Sequence, residues 1–146
     1  MHCVAYALVA MVTGCAWMGG IAPPPTVLQF IDYKGFDDQL HDSLREDYPA
    51  VNVAFAPDSV MLNQLPERLD RWLSRIHKDN DGRVEARPDP AFPNERSVVL
   101  AAIPLLFLAY DFTKSWALYR PAGDYNAIVY YVPGTGVLTR VLFVRR

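Results

Sequence analysis

The sequence predicts an α+β or α/β domain: a single mixed sheet of about five strands, two to three packed helices and a C-terminal β-hairpin. The spacing of hydrophobic residues and the composition of the chain support this prediction. Segments in which hydrophobic residues alternate, as in strands, are interleaved with segments in which they recur every three to four residues, as in helices. The resulting order is β-α-β-α-β-α-β-β. With 146 residues, of which 51% are hydrophobic and 21% charged, the chain has the composition of one packed domain.

The first half of the domain carries the clearest patterns. Residues 26–32 are rich in β-branched and aromatic side chains and predict a strand. Hydrophobic residues recur every four positions over residues 36–48 and predict an amphipathic helix stopped by a proline. Residues 51–55 alternate as a half-buried strand does. The helical stripe of residues 65–76 is the strongest in the chain, and a polar turn at residues 79–82 follows it.

The sequence patterns in the second half of the domain are weaker. Residues 83–87 predict a short strand, followed by a proline-rich loop. Residues 98–119 are strongly hydrophobic and predict one or two helices, in which the segment 98–110 is either buried core or a contact with membrane or a partner. Residues 125–132 and 137–145 predict a hairpin across a Pro-Gly-Thr-Gly connection.

The N-terminus carries a second kind of information. Residues 4–12 form a hydrophobic run that is too short to span a bilayer, which needs about 20 residues, but has the length of a signal-peptide core. Val12, Thr13, Gly14 and Cys15 follow at its end. This run resembles the lipobox of bacterial lipoproteins. Cleavage by an ordinary signal peptidase near Ala22 and an uncleaved buried segment are the alternatives.

The resemblance implies residues 1–14 as a signal peptide, residues 15–25 as a lipidated Cys15 with a proline-rich tether, and residues 26–146 as the globular domain. In lipoproteins the cysteine is diacylated and its new amino terminus is acylated, and several acyl chains anchor a protein durably. Because Ala16 follows the cysteine, the resemblance implies the outer membrane with the domain facing the periplasm in a Gram-negative cell, and otherwise the cell membrane. Loss of Cys3 would leave one cysteine and no internal disulfide.

Charge and motifs exclude several classes of function. The net charge of -2 is spread along the chain, so we expect no nucleic-acid binding. Asp37 with His41, and Asp38 with Asp42, have the spacing of metal-ligand pairs on a helix, but no further ligands accompany them, which favours a solvated helix face. Residues 79–82 indicate a helix-ending turn rather than a calcium loop. We therefore expect no metal and no cofactor.

The C-terminal hairpin contains the pattern that best fits a binding surface. Arginine beside tyrosine is typical of interface hot spots, whereas an ordinary strand with half-buried tyrosines and outward arginines is the alternative. No serine has the flanking glycines of a nucleophile elbow, so we expect no catalytic residues and no enzyme. The candidate partner-binding residues are Tyr130, Tyr131, Arg140, Arg145 and Arg146.

These observations predict a membrane-anchored envelope lipoprotein that is a non-enzymatic accessory or binding subunit with a protein partner. An envelope immunity or inhibitor protein that blocks a toxin or hydrolase is the alternative. An enzyme acting on peptidoglycan or lipid is a third, less favoured reading.

Overall fold

The computed structural model describes residues 26–79, 81–93 and 115–146. The predicted signal peptide, Cys15 and the predicted tether lie outside these residues, as do residues 98–114 of the hydrophobic segment 98–119. The helices are α1 (Lys34–Arg45), α2 (Glu67–Lys78) and α3 (Trp116–Tyr119), the last continued by a 3-10 turn over Arg120–Asp124. The strands are β1 (Thr26–Gln29), β2 (Ala50–Ala54), β3 (Val84–Pro88), β4 (Tyr125–Tyr131) and β5 (Leu138–Arg145).

The five strands form one mixed sheet in the order β1-β2-β5-β4-β3. β1 pairs with β2 in parallel, and β3 pairs with β4 in parallel. β5 lies between these two pairs and runs antiparallel to both of its neighbours. The predicted α+β fold with a C-terminal hairpin is confirmed, and the carboxyl ends of β1 to β4 all lie at one edge of the sheet.

One face of the sheet builds the core. Burial alternates along β4 from Tyr125 to Tyr131, as expected when one face packs and the other does not. Val51, Val53 and Phe143 on this inner face are fully buried in the same cluster as the hydrophobic side chains of α1 and α2. On the opposite, outer face, side chains are half-buried or exposed.

The first helix ends earlier than its hydrophobic pattern predicts. It stops at Arg45, because Asp47 adopts a positive φ of 60° that no helix can continue. The hydroxyl of Tyr125, a fully buried side chain, lies 3.0 Å from the carbonyl oxygens of Leu44 and Tyr48, which share its single proton. Since the last carbonyls of a helix lack internal partners, Tyr125 stabilises this helix end from β4.

Other boundaries differ by a few residues. β1 stops at Gln29, and Phe30 adds one more hydrogen bond, from its N–H to the oxygen of Ala54, before the chain leaves the sheet. α2 begins at Glu67, and Pro66 lies one position before the helix. The hairpin turn is as predicted, and Gly136 has the positive φ of 74° that favours glycine.

Candidate functional site

Two of the predicted binding residues form a pair on the outer face of the hairpin. Tyr130 of β4 and Arg140 of β5 are direct cross-strand neighbours. The guanidinium carbon of Arg140 lies 4.3 Å from the centre of the Tyr130 ring, which is a cation–π contact. Both side chains are half-buried, so part of each remains accessible to a partner.

Asp89, directly after β3, holds this pair from the side. Its carboxylate accepts a hydrogen bond from the Thr139 hydroxyl at 2.5 Å and one from the Ala91 N–H at 3.0 Å, and it lies 3.8 Å from Nε of Arg140. Burial alone would raise the pKa of Asp89, but these two hydrogen bonds and the charge of Arg140 outweigh it and hold the pKa below its usual value. Sequence reasoning missed Asp89.

Because its pKa is depressed, the ionised Asp89 side chain stabilises the folded state at pH values above the pKa of Asp89 in the unfolded chain. Since the folded state binds the proton more weakly than the unfolded state, this stabilisation is present above the unfolded pKa and is lost as the pH falls through the folded pKa. We expect Asp89→Asn to reduce the loss of stability between about pH 5 and pH 2 in urea unfolding. Exposed Asp38→Asn is the matched control; a wild-type pH profile for Asp89→Asn would contradict the assignment.

The remaining predicted binding residues do not join the Tyr130–Arg140 pair. Tyr131 is 5% exposed on the inner face, because adjacent residues of a strand point to opposite faces. Arg145 lies at the far end of β5, with Nη2 3.0 Å from Oδ1 of Asp47. Arg146 donates to the carbonyl of Gly123 and lies 3.5 Å from Asp79.

A different cleft, of about 440 Å³, lies where the end of α1 meets α3 and the 3-10 turn. One wall carries His41 and Arg45, which are four residues apart on α1. The other carries Trp116 and Arg120, again four residues apart. Sequence reasoning considered His41 as a metal ligand and missed the other three. In each wall an aromatic ring precedes an arginine by four residues, and this spacing is visible in the sequence. That the two walls face each other follows only from the fold.

A second cleft, of about 360 Å³, is lined mainly by charged side chains between the β1–α1 loop and α2. Its charges are paired: Arg68 contacts Asp32 at 3.1 Å and also Asp37, and Arg71 contacts Glu67. Burial, followed by the charge of Asp37, raises the pKa of the Tyr119 hydroxyl on its wall. Because the cations are already matched by carboxylates, this cleft is less suited to an ionic ligand than the first.

The candidate metal pairs do not converge. Asp37 is 4% exposed and accepts a hydrogen bond from Nε1 of Trp72 at 2.9 Å, so the prediction of a solvated face is wrong for this residue. Nδ1 of His41 lies 2.7 Å from the carbonyl oxygen of Leu118. Asp38 and Asp42 are exposed. Within residues 26–79, 81–93 and 115–146, no group of three or more potential ligands is close enough to hold a metal ion.

No protein-family model, curated protein or solved structure matches this chain. Among the described residues, no helix has both the length and the hydrophobicity needed to cross a membrane.

Proposed function

We propose that this protein is a lipid-anchored envelope lipoprotein whose domain is a non-enzymatic binding subunit held close to its membrane. The observation that carries the proposal is the lipobox-type run of Val12, Thr13, Gly14 and Cys15 directly after a hydrophobic core of signal-peptide length. Residues 16–25 are all that separates Cys15 from β1, and fully extended they reach about 35 Å at most.

The surface nearest this tether supports an attachment to lipid. Val27, Ile31 and Tyr33 are 62%, 55% and 45% exposed, and all three lie within the first residues of the domain. An aromatic ring and aliphatic side chains suit the interface between headgroups and acyl chains. A short tether that ends at this edge of the sheet would place the three side chains at the membrane surface.

The Tyr130–Arg140 pair supports a role in binding a protein partner. A guanidinium that is stacked on a tyrosine and held by Asp89 loses little conformational freedom when a partner docks. Tyrosine and arginine, together with tryptophan, are enriched among the residues that dominate interface energies. The buried carboxylates of Asp37 and Asp89 are occupied by contacts within the fold, which favours a structural role for both.

We expect Cys15→Ala to abolish acylation and to release the protein from the membrane fraction. The chain is expressed from Met1 in a Gram-negative host, fractionated, and analysed by intact mass spectrometry. Wild type is expected to begin at Cys15, to carry acyl chains and to sediment with membranes. Cys3→Ala is the matched control, because its cysteine lies in the part that is removed.

Two results would contradict the proposal. An unacylated wild type that begins at Met1 and remains soluble would exclude the lipid anchor. Turnover of peptidoglycan or lipid by the pure protein, abolished by replacement of one polar side chain, would exclude a purely binding function.

A further inference from the structure

The two guanidinium groups of the cleft between α1 and α3 differ from most other arginines of the domain. Arg45 and Arg120 line the cleft and are exposed, and neither has a carboxylate within 4 Å among the described residues. The arginines that do have such a partner are Arg68, Arg71, Arg75, Arg87, Arg140, Arg145 and Arg146. A guanidinium presents several N–H donors in a planar fork, so two unpaired ones in one cleft form a receptor for an oxyanion.

The carboxylates in the same cleft limit the charge of that anion. Asp47 is neutralised by Arg145, whose Nη2 lies 3.0 Å from Oδ1 of Asp47. Asp124 also lines the cleft and has no ion pair among the described residues. The positive charges of Arg45 and Arg120 and the negative charge of Asp124 sum to about one positive unit. This net charge matches a ligand with a single negative charge.

His41 supplies a further polar group on the same wall as Arg45. Its Nδ1 lies 2.7 Å from the carbonyl oxygen of Leu118, which can only accept, so Nδ1 carries the proton. This contact fixes the ring against α3. Nε2 is the nitrogen that remains for a ligand.

The rest of the cleft is apolar and aromatic. Trp116 is 50% exposed, and the guanidinium of Arg75 stacks on its ring at 4.2 Å from the centroid. Leu44, Ala117 and Pro121 complete the lining. A cleft of about 440 Å³ that combines apolar surface with convergent polar groups is typical of small-molecule sites.

We propose that this cleft binds a phosphodiester whose substituent is apolar or ring-shaped: Arg45 and Arg120 bind the singly charged phosphate, and Trp116 packs on the substituent. Such a group occurs in soluble esters and in phospholipid headgroups, and the chemistry of recognition is the same. The site goes beyond the proposed envelope function and requires neither the anchor nor the Tyr130–Arg140 pair.

The soluble source is tested by calorimetric titration of the full-length Cys15→Ser chain with methyl phenyl phosphate. Arg45→Gln and Arg120→Gln are each expected to weaken binding by about tenfold or more, because each removes a charge-assisted hydrogen bond. Trp116→Leu weakens the phenyl ester but leaves any binding of inorganic phosphate unchanged. Lys34→Gln removes an exposed cation at the other end of α1 and is the matched control, with wild-type affinity expected.

The lipid source is tested by flotation of the same proteins with phosphatidylcholine vesicles, with and without phosphatidylglycerol. If binding of methyl phenyl phosphate depends on both arginines, the result supports a soluble ligand. If the protein floats only with vesicles that contain phosphatidylglycerol, and flotation depends on both arginines, the ligand is a lipid headgroup. If neither probe binds, or if both arginine variants bind as wild type does, the proposal is overturned. Failure of acylation at Cys15 would overturn the envelope function but leave this result unaffected, since the titrated chain carries no lipid.

Discussion

Trp72→Ala is expected to lower the free energy of unfolding by about 3–5 kcal/mol. The indole is fully buried and is the largest such side chain among the described residues. It packs edge-on against Tyr119 with ring centroids 4.7 Å apart, and its Nε1 donates to Asp37. Truncation therefore creates a cavity between α2 and α3 and also removes a hydrogen bond from a buried carboxylate.

The measurement is equilibrium urea unfolding followed by circular dichroism. Trp116→Ala is the matched control: the same residue type is replaced where the side chain is 50% exposed, and a change below about 1 kcal/mol is expected. A loss of less than 1 kcal/mol for Trp72→Ala would contradict the packing of α2 described here.

Asp37→Ala is expected to destabilise the fold by about 3 kcal/mol. The Asp37 carboxylate is almost fully buried and accepts hydrogen bonds from Trp72 and Arg68. Its removal leaves the indole N–H buried without its acceptor and separates the Arg68 guanidinium from its buried counter-charge. Asp38→Ala, one residue along the same helix and exposed, is the control and is expected to change stability by less than about 0.5 kcal/mol.

The two effects are coupled through one hydrogen bond, so they do not add. Combining Trp72→Phe with Asp37→Ala in a double-mutant cycle is expected to give an interaction energy of about 1–2 kcal/mol. Strict additivity in this cycle would show that the 2.9 Å contact between Nε1 and Oδ1 contributes nothing.

The helices could be predicted because the spacing of hydrophobic residues is a local property of the sequence. The four-residue spacing that predicted α1 and α2 reflects burial of one helix face, and Phe36, Leu40 and Trp72 are fully buried. The strand order could not be predicted, because pairing of β5 with β2 joins residues that are far apart in the chain. Nor could the burial of Asp37 be predicted, since its partner Trp72 lies 35 residues away.

The candidate sites were predicted less well than the helices, because the cleft depends on contacts between distant parts of the chain. Strand alternation was sufficient to place Tyr130 and Tyr131 on opposite faces, and this information was in the sequence. The separation of Arg140 from Arg145 was also available from strand length, since five residues extend over about 17 Å. The cleft was not available, because it requires the end of α1 to meet a segment from the other half of the chain.

The central position of β5 has a consequence for the order of folding. β1 with β2 and β3 with β4 are separate parallel ribbons, and only the last strand of the chain joins them into one sheet. In a nascent chain that lacks residues 138–145, no strand lies between the two ribbons, which together leave four open strand edges. We therefore expect cooperative folding of the whole sheet only after residues 138–145 have been synthesised, since no strand pairs with both ribbons before then.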